Sequence, residues 1–139
     1  MSQDPAPSPA RALAEEFVEA YGRTWKAWDL SGFVDLFSDD VTYVAHAMQE
    51  TVVGRPALAV YIEKEAAEQG EVNVRMGRPV IEGDRVAAEF WVTATSRDRA
   101  ATFAGCFIAQ LASDGRCANF REYWFDEAGH TDPFGGWGE

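Results

Sequence analysis

Cysteine and histidine are scarce in this chain, two of each among 139 residues. Cys106 and Cys117 are too few for a disulfide framework and are spaced for no zinc site. Both fall on neighbouring predicted strands, well out of register, so no bridge is expected between them. Basic residues are also short, with 12 Lys and Arg against 23 Asp and Glu, a formal net charge of −11. Nucleic acids are held through neutralised phosphates, so that balance excludes a nucleic-acid partner and disfavours anionic membrane surfaces. No apolar run is long enough to span a bilayer. The opening MSQDPAPSPA has neither the basic start nor the apolar core of a signal peptide, so a cytoplasmic protein is expected. There is no glycine-rich phosphate loop and no His/Asp pair for a metal. Ser31, Ser38, Ser96 and Ser113 fall in turns or caps with no nearby histidine, so no nucleophile is indicated. Neither a metal nor an organic cofactor is expected.

Hydrophobic residues are plentiful, at 47%, with 13% aromatic, enough for one real core in a chain of this length. Residues 1–10 read as a flexible tail, 11–127 as a single domain, and 128–139 as a second tail too rich in glycine to pack. From Arg11 to Trp28 a helix is predicted, with Leu13, Phe17, Tyr21, Thr24 and Trp28 near one face and Trp25 beside Tyr21. Asp29 reads as the cap of a short second helix, Leu30–Phe37, ended by Ser38-Asp39-Asp40. A strand over Val41–Ala47 and a short one at Thr51–Val53 follow. The third helix, Pro56–Glu68, turns Ala57, Val60, Tyr61 and Lys64 inward. Four long β-segments then run Val72–Glu82, Arg85–Thr95, Thr102–Ala112 and Cys117–Asp126, with turns at Gly83-Asp84 and Asp114-Gly115. This is an α+β layout in which a cone-shaped, strongly curved and mostly antiparallel sheet wraps the N-terminal helices and encloses a pocket.

Two-residue turns fix the facing residues. With Asp114-Gly115 as loop, Phe107 faces Glu122, Ala109 faces Phe120 and Gly105 faces Trp124. One face then carries Phe103, Gly105, Phe107, Phe120, Glu122 and Trp124, and the glycine leaves room for the indole. With Gly83-Asp84 as loop, Arg78 faces Glu89, while Phe90 and Val92 point inward opposite Gly77 and Arg75. The outer face carries Glu89, Trp91, Thr93, Cys106, Ile108, Asn119, Arg121 and Tyr123. That mixture has the composition of a protein interface and predicts a homodimer through the outer sheet face.

The stretch FVEAYGRTWKAWDLSGFVDLFSDDVTYVAH, Phe17–His46, resembles the opening of the ketosteroid isomerase-like and SnoaL-like proteins of the nuclear transport factor 2-like superfamily. Asp-Leu-x-Gly followed by Leu-Phe-x-Asp-Asp carries the likeness. Asp114-Gly115-Arg116 with Arg121-Glu122-Tyr123-Trp124 resembles the family's closing hairpin. The resemblance covers residues 11–127 and implies the same α+β roll. It also implies where catalytic groups would fall. The tyrosine that donates to an enolate matches Tyr21. The aspartate base matches Ala45, and the second acid matches Phe103, so that mechanism is disfavoured. The Asp-Arg-Asp set of the superfamily's epoxide hydrolases keeps one counterpart, Glu122, with Phe90 and Val92 in the other places.

Glu122 is therefore the leading candidate catalytic residue, an acid between Phe120 and Trp124 on an apolar face, with Tyr21, His46, Arg75 or water as possible partners. Tyr21 is expected to hold a ligand oxygen. Trp25, Trp28, Tyr43, Tyr61, Phe90, Val92, Phe103, Phe107, Phe120 and Trp124 are the expected pocket walls. His46 faces outward by strand alternation, and His130 sits in the tail. Two readings stay open. One is a protein binding a small, mainly apolar ligand with cofactor-free isomerase, dehydratase or cyclase chemistry. The other is a non-catalytic binding or dimerisation module.

Overall fold

The computed structural model describes residues 8–139, so the part of the expected N-terminal tail in residues 1–7 lies outside the described residues. Ser8, Pro9 and Ala10 belong instead to the first helix, α1 (Pro9–Ala27). The Ser8 hydroxyl accepts the Arg11 N–H, and proline at the first helical position loses no bond. Trp28 ends α1 in the left-handed conformation (φ 49°). Asp29 caps α2 (Leu30–Val34) by accepting the Gly32 N–H, as expected.

The second helix is shorter than predicted because the sheet captures its end. Phe37–Val44 forms β1, which runs parallel to the last strand, and Cys117 N–H donates to the Leu36 carbonyl. Ser38-Asp39-Asp40 is thus strand, with a register shift between Phe37 and Thr42. β2 (Val52–Val53) pairs with β1 and leads into α3 (Arg55–Gln69). The inward face of α3 is Leu58, Tyr61, Ile62 and Glu65, while Ala57, Val60 and Lys64 are exposed. The expected phase was wrong by one residue. Alanine and valine flank leucine and isoleucine here, so the sequence shows no clear apolar stripe and the sheet decides which side is covered.

The predicted strand Val72–Glu82 is two strands, β3 (Glu71–Met76) and β4 (Val80–Glu82), broken at Gly77-Arg78-Pro79. Both pair with β5 (Arg85–Ser96). The break shifts the pairing, so Phe90 faces Met76 and Val92 faces Val74 rather than Gly77 and Arg75. The expected Arg78–Glu89 pairing does not form, and Gly77 N–H donates to the Glu89 carbonyl instead. β6 (Arg99–Leu111) and β7 (Cys117–Ala128) complete a sheet of order β2-β1-β7-β6-β5-β3, with β4 also on β5. Their register is the predicted one at Gly105↔Trp124, Phe107↔Glu122 and Ala109↔Phe120. Cys106 and Cys117 are free thiols, the latter pushed up to about 12 by burial.

The core lies between α1 and the concave sheet face. Phe17 and Tyr21 of α1 meet Phe107 at ring distances of 5.8 and 4.8 Å. The C-terminal segment does pack. It forms no helix or strand, but Trp91 Nε1 donates to Thr131 O at 2.8 Å, and the Trp91 ring meets Phe134 and Trp137 edge-on. The Arg75 guanidinium lies 5.2 Å from the Trp137 ring. Four aromatic or cationic side chains thus anchor a glycine-rich segment on the outer sheet face.

Gly105 is where the sheet tolerates least. A Cβ there would lie 2.1 Å from Tyr123 O and 2.7 Å from Trp124 Cα. Gly105→Ala must move backbone, and it is expected to destabilise by about 2 kcal/mol in urea denaturation.

Candidate functional site

The cone closes around a hollow of about 70 Å³ between α1, α3 and the inner sheet face. That is several times the roughly 10–15 Å³ one water needs. α1 and its C-cap contribute Tyr21, Trp25 and Trp28 to the wall; β1 contributes Tyr43, and α3 contributes Tyr61. The sheet adds Phe90, Phe103, Glu122 and Trp124. Val92, Phe107 and Phe120 are not part of this wall and lie within the core. They face inward as predicted, but the helices pack down on them.

Glu122 stands on β7 opposite Phe107, within the greasy part of this wall. Its partner is Tyr21, whose Oη donates to Glu122 Oε2 at 3.1 Å. Arg75 is on the outside and His46 is beyond reach of the hollow, so neither neutralises the carboxylate. Burial pushes the Glu122 carboxyl up to about 8; the Tyr21 bond pulls it down, and the charge of Glu65 adds to the rise. The same burial raises Tyr21 well above the usual phenol range, so its proton stays on. Tyr21 was expected to hold a ligand oxygen, but its one donor is committed to Glu122.

Sequence reasoning missed two further carboxyls of the hollow, Glu65 and Asp29, together with Gln69, Thr24, Leu30, Phe33 and Ile62. The one-residue phase error on α3 hid Glu65, Gln69 and Ile62. Trp25 Nε1 donates to Gln69 Oε1 at 3.0 Å, and Gln69 Nε2 donates to Glu65 Oε2 at 3.1 Å. Burial raises Glu65 too, while the Gln69 bond lowers it. Trp28 Nε1 donates to Gly70 O at 2.6 Å and ties the ends of α1 and α3 together at the same wall.

The family's absent groups leave backbone and rings in their places. Ala45 is buried, and its carbonyl accepts Trp124 Nε1 at 2.8 Å. Phe103 packs edge-on against the same indole. His46 begins a turn beyond β1, where its Nδ1 accepts the Met48 N–H and its ring meets Trp124 from outside the hollow. His130 lies in the docked C-terminal segment, Nε2 at 3.1 Å from Ala94 O.

A carboxyl held protonated by the fold ties stability to pH. Unfolded, Glu122 ionises near its ordinary value of about 4.3, whereas folded it keeps its proton to about 8. Between those values the folded state binds more protons, so stability falls as pH rises, at up to about 1.4 kcal/mol per pH unit. In chemical denaturation at pH 5 through 8, Glu122→Gln is expected to flatten this decline and to be relatively most stable at pH 8.

Residues 16–120 match the family model of the SnoaL-like domain. No curated protein sequence matches the chain. Among solved structures, it is similar to the epoxide hydrolase/cyclase-like enzyme SalBIII, which functions in pyran ring formation in the polyether salinomycin. There the TM-score is 0.74 and the identity 19%, over 82% of this chain and 92% of that one. RV0760c from Mycobacterium tuberculosis gives a TM-score of 0.76 at 17% identity, over 89% of this chain and 100% of that one. A second structure of RV0760c, in complex with estradiol-17β-hemisuccinate, gives a TM-score of 0.70 at 18% identity, over 81% and 94% of the two chains. An LEH-like epoxide hydrolase of M. tuberculosis gives 0.67 at 21% identity, over 82% and 84%. An α+β roll with a curved seven-stranded mixed sheet, matched over most of its length by the SnoaL-like family, makes this chain a SnoaL-like protein of the nuclear transport factor 2-like superfamily.

Proposed function

We propose that this SnoaL-like protein is a cofactor-free acid–base enzyme acting on small, mainly apolar molecules that carry carbonyl or hydroxyl groups, with Glu122 as proton donor. The observation that carries this reading is a carboxyl in an apolar hollow, oriented by one phenol and holding its proton to about 8. A carboxylic acid that is protonated at neutral pH can deliver that proton to a departing or developing oxygen. The walls select by shape, since most of what surrounds Glu122 is aromatic. On this same fold, SalBIII is an epoxide hydrolase/cyclase-like enzyme with a role in pyran ring formation, and RV0760c has been seen in complex with estradiol-17β-hemisuccinate. Dehydration and cyclisation both need such an acid. Tyr21 acts as its positioning residue.

The rival is a binding module in which Glu122 only fixes the core. Its support is that Glu122 already has a protein partner in a hollow of modest size. For quaternary structure we propose a homodimer through the outer sheet face. The docked C-terminal segment occupies the Trp91 side of that face, which leaves Tyr123 and Phe125, 48% and 85% exposed, as the free apolar part. Sedimentation of the wild type is expected to give a dimer, and Phe125→Glu a monomer.

The test of catalysis uses 3-hydroxycyclohexanone, whose dehydration yields the ultraviolet-absorbing cyclohex-2-enone. With Glu122 as acid, kcat/KM is expected to fall tenfold per pH unit above about 8. Glu122→Gln should cost on the order of 100-fold and erase that limb. A variant equal to wild type, or a wild type that turns nothing over, supports the binding module instead.

A further inference from the structure

Two hydroxyls of the hollow, Tyr43 and the less buried Tyr61, make no hydrogen bond among the described residues, and Tyr43 is the more rigidly held. Tyr43 is 2% exposed, and its ring lies stacked on Phe120 at 4.6 Å and 11°, with the edge of Phe37 at 5.5 Å. Those contacts hold the phenol rigidly along β1 as part of the cavity wall. Its hydroxyl has no hydrogen-bond partner among the described residues, and no fully enclosed side-chain oxygen or nitrogen lacks one. The Tyr43 oxygen therefore opens into the hollow, where it can be satisfied only by what the hollow contains. A donor buried this way and aimed at empty space is what a ligand oxygen requires.

The groups facing it are few. Tyr21 of α1 donates its hydrogen bond to Glu122 of β7, Asp29 follows the C-cap of α1, and α3 supplies Tyr61 and Glu65. Glu65 is built in rather than incidental. An indole nitrogen only donates, so Trp25 fixes the oxygen end of the Gln69 amide and turns its NH₂ towards Glu65. A carboxylate accepting that bond is favoured in its ionised form. Three carboxyls line the cavity; Asp29 is engaged as the α2 cap, which leaves Glu122 and Glu65 in unequal surroundings. Burial raises both, Glu122 to about 8, but only Glu65 accepts the Gln69 amide, a bond that lowers it and suits it to the base's part.

We propose that Glu65 and Tyr43 complete an elimination site for small β-hydroxy ketones, with the Tyr43 hydroxyl holding the carbonyl oxygen and Glu65 removing the proton from the carbon between carbonyl and carbinol. This rests on the acid role of Glu122 given above. The C–H electron pair becomes the new C=C bond as the C–O bond breaks, and the departing oxygen takes the Glu122 proton to leave as water. The products are a conjugated enone and water. Glu65 then holds the proton taken from carbon while Glu122 lacks one, and transfer of that proton across the hollow restores both groups. Gln69 is a positioning residue for Glu65.

Full-length protein and 3-hydroxycyclohexanone test this. Wild type should give a bell-shaped pH profile of kcat/KM. Glu65→Gln should lower kcat/KM on the order of 100-fold and remove the acid limb, leaving the basic limb set by Glu122. Gln69→Leu should move the acid limb to higher pH and leave the basic limb in place. Tyr43→Phe should lose a similar factor with an unchanged thermal midpoint, because no protein hydrogen bond is removed. Turnover that depends on Glu122 but is indifferent to Glu65→Gln and Tyr43→Phe overturns this assignment and leaves the acid role standing. Turnover absent in wild type, or indifferent to Glu122→Gln, overturns both.

Discussion

Taking a carboxyl group out of water is unfavourable unless something in the interior meets its charge or lets it keep a proton. Around Glu122 the fold offers one phenol and no cation, and the proton stays. That single constraint organises the rest of the hollow. Tyr21 is spent on orienting the acid, so the proposed oxygen-binding role falls to another hydroxyl. The helix carrying Tyr21 must stand close to the sheet, and it does: a Cβ on Gly22 of α1 would lie 2.6 Å from Met76 of β3. Close approach of helix and sheet, and a protonated acid between them, are one arrangement seen from two sides.

The superfamily places polar catalytic groups at several positions where this chain carries alanine, valine or phenylalanine. Those substitutions do more than delete chemistry. Phe90, Phe103 and the Ala45 backbone extend the apolar wall and brace Trp124, which lowers the polarity around the one acid that remains. Losing polar neighbours raises the proton affinity of the survivor. The proton affinity of such a site is governed by desolvation rather than by an array of charges.

How far the chain could be read from sequence depended on whether the local signal was redundant. The β6–β7 register came out correctly although the loop is not the assumed two-residue turn. Ala112 N–H donates to Arg116 O, so Ser113, Asp114 and Gly115 form the loop. The register shift between Gln110 and Leu111 then leaves Ala118 unpaired and restores the expected facing. Alternation of aromatic and small residues allowed no other register. α3 had no such redundancy. Alanine, valine, leucine and isoleucine are spread around it, and one residue of phase separated Lys64 from Glu65, so that carboxyl went unseen. The boundary at Phe37 failed because strand pairing across a long sequence separation overrode a local helix pattern. The C-terminal segment failed for a related reason: its glycines signal freedom, but Trp91 and Arg75, far earlier in the chain, supply the anchors.

That docked segment also changes how the molecule meets others of its kind. Where β3 breaks, the sheet border would offer hydrogen-bonding backbone to any passing extended chain. Proline at 79 has no amide hydrogen to offer, and the Arg78 amide is already engaged by the carbonyl of Gly138. The last residues thus serve as a selvedge, closing a margin along which copies could otherwise join end over end into fibres.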